Sequence, residues 1–230
     1  MTHGLGQPNA EIVRPHVPPE AMDHVARALG GLRLDLRVVR PRRTKLGDHR
    51  PPRPPLRPAH RITVNAGLNP WAFLTTLLHE LAHAATWERH AARRRRIRPH
   101  GPEWQREFSG VLVPLLDARV FPDDLAAAVS RSLASPAAAT CSDRGLLLAL
   151  ARYDLHAEGR VRVEDLAEGT WFRVDARHVF RAGRLVRTRR QCFMAGSEQE
   201  YRVHGLLAVE PLAEPPAVSS SPRRRLRRRR

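Results

Sequence analysis

The sequence predicts an α+β protein, and three observations carry that reading. Residues Trp71 to Ala92 run without a Gly or Pro, long enough for about six helical turns. Short stretches such as LRLDLRVVR and RITVN alternate apolar with polar residues or are β-branched, as half-buried strands do. After about residue 158 the chain becomes a succession of short alternating stretches broken by turn residues. With 230 residues, 42% of them hydrophobic, it can build one medium domain or two small ones, each with a real core.

Taken in order, residues 1–18 are Pro-rich and polar and read as a flexible arm. PPEAMDHVARALGGL (18–32) predicts a helix, with Pro19 near its start, Met22, Val25, Ala26 and Leu29 on one face, and Gly30-Gly31 as the stop. A half-buried strand follows at 32–40, then a surface loop at 50–58 in which five of nine residues are Pro, then a short strand at 61–65. Asn69 is placed to cap the long helix and Pro70 to occupy its first position, where a missing N–H costs nothing. Pro99 and Gly101-Pro102 reset the chain. Helices are expected at 103–116, where Trp104, Phe108, Val111, Leu112 and Leu115 recur at helical spacing, at 121–135, and near 142–152. The main domain thus covers residues 19–158, a small β-rich module residues 159–210 with breaks at Gly183 and Gly196-Ser197, and a disordered basic tail residues 211–230.

The long helix contains LHELAHA. His79 and His83 are four residues apart, hence on one helical face and about 6 Å apart along the axis, so both imidazoles can reach one tetrahedral zinc. Glu80 projects to the side, where it can touch a zinc-bound water rather than the metal. The bland alternative is two histidines partly buried on an Ala/Leu helix. A third ligand has several candidates. His90 lies about 10 Å further along the axis, too far for ~2 Å bonds to the same ion. Glu88 is off the face. His100, just before the next helix and followed by Gly101, is the favoured one, with Glu103 as its rival.

TLLHELAHA, a basic loop, and then HGPEWQREF resemble the SprT-like (Spartan-type) zinc metallopeptidases, whose core is His-Glu-x-x-His followed by a His-Gly-x-x-Trp-type element. RTKLGDHR, HRITVN, NPWAF, FPDD and TCSD look like the bacterial branch, and the resemblance spans about residues 20–155. It implies His79, His83 and His100 as zinc ligands, Glu80 as the catalytic residue, and a zincin-like α+β fold with a small sheet beside the active-site helix. It also suggests proteolysis of DNA-associated proteins, including DNA–protein crosslinks, and so a role in DNA repair. Many relatives carry a C-terminal zinc ribbon with two Cys-x-x-Cys pairs; this chain has none.

The formal net charge is +17, which favours a phosphate backbone or another polyanion as partner. Arg93, Arg94, Arg95 and Arg96 sit near the presumed site, either steering a phosphate backbone or forming a solvated helix end. Arg223, Arg224, Arg225, Arg227, Arg228, Arg229 and Arg230 make the tail a nonspecific polyanion contact. Two lone cysteines, Cys141 and Cys192, make no disulfide framework and point to a reducing compartment. A second metal site joining them to His156, His178 or His204 is a further arrangement, free thiols being the ordinary one. With no export pattern at the start and no run of ~18 apolar residues, a cytoplasmic, nucleoid-associated protein is expected. Two other classes stay open: a nucleic-acid-binding protein with a structural or idle zinc site, and a metallopeptidase unrelated to DNA.

Overall fold

The structure, a computed structural model, describes residues 7–42, 45–90, 97–134, 143–154, 159–197 and 199–216. The chain divides into two compact units, residues 1–155 and 156–230. Among the described residues no helix is long and apolar enough to cross a membrane.

The first unit is α+β. Helix α1 (Gln7–Val13) and two short 3-10 turns (Arg14–His16 and Pro19–Ala21) precede α2 (Met22–Gly30). Strands β1 (Leu34–Val39), β2 (Gly47–Arg50) and β3 (His60–Asn65) form a sheet in the order β1-β3-β2, with β1 parallel and β2 antiparallel to the central β3. Helices α3 (Pro70–His90), α4 (Pro102–Asp117), α5 (Asp123–Ala134) and α6 (Arg144–Ala151) complete it. Residues 7–17, expected within a loose arm, are instead folded. Ala10, Val13 and Val17 are buried in the main core, and that apolar contact outweighs the surrounding prolines.

Helix α3 is the centre of this unit, with fourteen of its 21 residues buried, so it is lined by protein on nearly every side. Asn69 caps it as its sequence position predicts: its Oδ1 accepts the Ala72 N–H at 2.9 Å. The same side chain donates to the Leu150 carbonyl and to Asp154, tying the start of α3 to the end of α6.

In the second unit β4 (Val161–Arg162), β5 (Trp171–Asp175), β6 (His178–Val186), β7 (Arg189–Met194), β8 (Glu200–His204) and β9 (Ala208–Leu212) form an antiparallel sheet ordered β4-β9-β5-β6-β7-β8. Val163, Leu166, Phe172, Phe180, Ala182, Cys192 and Val209 make its own core. Gly183 does not end a strand, contrary to expectation. It lies inside β6, where the register with β7 shifts between Ala182 and Leu185, so the glycine marks a bulge.

Candidate metal centre

His79 and His83 leave α3 on one face, and the turn before α4 carries His100 to meet them. The three Nε2 atoms lie 3.2 Å (His79–His83), 3.0 Å (His83–His100) and 3.2 Å (His79–His100) apart. Two ligands of a tetrahedral ion with ~2.05 Å bonds sit about 3.3 Å apart, so the triangle fits one zinc-sized ion with a fourth corner open. Burial pushes the imidazoles toward their neutral, metal-binding form: His79 falls to about 3, His83 to about 4, and His100 below its ordinary value. Neighbouring imidazoles add to the effect at His79 and His83.

His100 reaches the cluster through its own backbone. Its φ is +58°, whereas the following Gly101 is extended, with φ −71° and ψ −178°. A left-handed histidine is uncommon, and such strain gathers at functional sites. Trp104, 1% exposed, forms the floor, its ring centroid 4.7, 5.3 and 4.8 Å from those of His79, His83 and His100. Phe108 stacks behind it at 4.6 Å. The His-Gly-x-x-Trp spacing therefore places a ring under the triad. Packing also holds His79, because its buried Nδ1 has no hydrogen-bond partner.

Glu80, 6% exposed, faces β2. It accepts a hydrogen bond from the His49 backbone N–H. A Cβ at Gly47 would stand 2.5 Å from Glu80 Oε1 and 2.8 Å from Thr76 Cγ2, so only glycine leaves room for the carboxylate here. Burial, with Asp48 as the next cause, raises the Glu80 carboxyl to about 7. Beta strand and helix are tied a second time. His49 Nε2 lies 2.8 Å from His60 Nδ1, and His60 Nε2 lies 2.8 Å from Glu88 Oε1 on α3, with His60 fully buried. The His49 ring is parallel to that of His83, 6.1 Å away.

The other candidates lie elsewhere. Glu103 does not join the cluster, Glu88 is engaged by His60, and His90 is buried at the end of α3. Of the tyrosines, Tyr153 donates to Asp124 and Tyr201 to Gln199. Arg93 to Arg96, Cys141, His156 and Arg223 to Arg230 lie outside the described residues. Cys192 is buried, His178 bonds Asp175, and His204 accepts the Leu206 N–H; among the described residues the only metal-like cluster is the histidine triad. What sequence reasoning missed was Gly47 and the His49–His60–Glu88 string. Their signal was faint, a GDH tripeptide ahead of the strand that begins at His60.

No curated protein and no solved structure matches the chain. A family profile does, over residues 40–114, the third of the chain that contains β2, the triad, Glu80 and Trp104. That profile is of the SprT-like family, a family of metallopeptidase type, and the stretch that resembles it holds the His3 cluster and the adjoining carboxylate.

Proposed function

We propose that the chain is a zinc-dependent metalloendopeptidase of SprT-like, zincin-like type that cleaves DNA-associated proteins, DNA–protein crosslinks among them, in the cytoplasm. The observation that carries this reading is the convergence of three Nε2 atoms within 3.2 Å of one another beside the buried carboxylate of Glu80.

His79, His83 and His100 would hold the ion, which when bound supplies Lewis acidity and a water of lowered pKa, near ~7. Glu80 takes a proton from the attacking water, which its raised proton affinity favours, and delivers it to the amine that leaves the scissile peptide bond. Gly47 and the His49 N–H fix where that carboxylate stands. The Trp104 floor keeps solvent from the protein side of the triad.

The DNA part of the reading rests on the +17 charge and on the family resemblance. If six phosphates are neutralised, the log–log salt slope of binding is about −5 for duplex DNA. The deciding experiment is a peptidase assay of wild type beside Glu80→Gln, with and without DNA and a chelator. The expected result is hydrolysis lost with chelator and with Glu80→Gln, and stimulated by DNA. A Glu80→Gln enzyme of near-normal rate would remove Glu80 from the mechanism, and activity indifferent to DNA would leave a general metallopeptidase.

A further inference from the structure

The outward face of the second unit's sheet carries a row of side chains that the metal centre does not use. Trp171 on β5 pairs with Arg181 on β6, and Arg181 pairs with Phe193 on β7, so the three stand side by side across adjacent strands. Their chain neighbours Phe172, Phe180 and Cys192 point into the core, which puts the row on the opposite, solvent-facing side. Arg181 is exposed and its guanidinium lies 5.6 Å from the centre of the Phe193 ring. The three line a shallow cavity with Met194, Ser197 and Gln199. Gly183 lies beneath the Phe193 ring, since a Cβ there would come within 3.3 Å of Phe193 Cε2.

The charge of this face is unbalanced. Arg173 is neutralised by Glu210 at 3.0 Å and Arg202 by Glu200 at 2.7 Å. Arg181 and Arg189, on the same face, have no ion-pair partner among the described residues. Strand spacing sets the Trp171 and Phe193 backbones about 10 Å apart with a cation between them. Ring, cation, ring matches the base–phosphate–base order of a single strand. An acidic peptide would use the arginines and leave both rings idle. We infer that the Trp171–Arg181–Phe193 row is a binding site for single-stranded nucleic acid, with bases stacked on the two rings and the intervening phosphate on Arg181. The site goes beyond the hydrolytic reading and does not depend on it, because binding is measured without metal or turnover.

The test uses the full chain and a fluorescent oligothymidylate, with a duplex of equal length and polyglutamate as competitors. Trp171→Ala/Phe193→Ala is expected to weaken oligothymidylate binding roughly 10- to 100-fold. Duplex affinity, governed by phosphate charge, should change by less than about 2-fold. Arg181→Glu should weaken oligothymidylate binding too. Folding of the variants is checked by native alkylation at Cys192, which the intact core shields. Should the double variant unfold, Arg181→Glu decides, because that side chain is exposed. Unchanged oligothymidylate affinity in a folded variant overturns the inference. So does an equal loss for the duplex, which means a plain phosphate patch, and so does efficient displacement by polyglutamate, which means an acidic-peptide site.

Discussion

Glu80, His79 and His60 are sunk in the interior of the first unit, whereas in the second unit Trp171, Arg181 and Phe193 stand on the outside. Among the described residues the second interior is apolar but for Arg190, and that guanidinium is bonded to the Gly183 and Glu164 carbonyls. Each arrangement suits its chemistry. Hydrolysis calls for imidazoles kept neutral and a carboxylate with raised proton affinity, and desolvation produces both. Capture of a polyanion gains from charge left in water, where it acts over the ~8 Å screening length, and from rings that are only partly buried. Burial therefore separates the unit proposed to carry the reaction from the unit proposed to dock a polyanion.

The comparison breaks most visibly at the metal. His100→Ala removes one of the three proposed ligands, and metal affinity should fall by more than the roughly 10- to 100-fold typical of outer partners, with the proposed hydrolysis lost alongside. Metal analysis of the purified variant checks it; full occupancy would mean that the triad is not the site. Gly47→Ala comes next. Its Cβ would displace the Glu80 carboxylate, so kcat should drop roughly 10- to 100-fold while metal content and KM stay near wild type. A wild-type kcat would show that β2 does not set the position of the base.

Acid should distinguish the units more gently. In the native first unit His49 and His79 are pushed down to about 3 and His83 to about 4, chiefly by burial. Unfolded, they titrate near ~6.5, so on acidification the unfolded chain takes up protons before the native one does. The stability they contribute to the metal-free unit is complete above about pH 6.5 and declines as pH falls toward about 4. Because Glu80, raised to about 7, titrates with the opposite sign in this window, thermal melting of chelated Glu80→Gln protein between pH 7.5 and 5 reads the histidines alone, and a flat profile contradicts it. The smallest effect is at Cys192, whose thiol burial raises to about 11. Native alkylation there should be no faster than opening of the second unit, and rapid labelling of folded protein would show an exposed core.

Much of the first unit was legible because its signals are local. Asn69 and Pro70 announce α3, and a four-residue spacing alone puts His79 and His83 on one face. The approach of His100 depends on a turn, yet the Pro99 and Gly101-Pro102 punctuation showed that the chain reverses there. The seat of Glu80 was not legible. Gly47 and Glu80 are far apart in sequence, and only the packing of β2 on α3 reveals why a side chain is excluded. Residues 7–17 were misread because three apolar residues among prolines gave too weak a period. Gly183 was misread because a glycine that ends a strand and one that bulges it look alike without the partner strand.

The left-handed backbone of His100 makes the third arm of the triad a sprung latch. Holding such a conformation costs on the order of 1–3 kcal/mol, and coordination of its imidazole is the natural counterweight. An ion bound by His79, His83 and His100 would thus hold the left-handed residue in place, and its loss is expected to let the backbone at His100 relax.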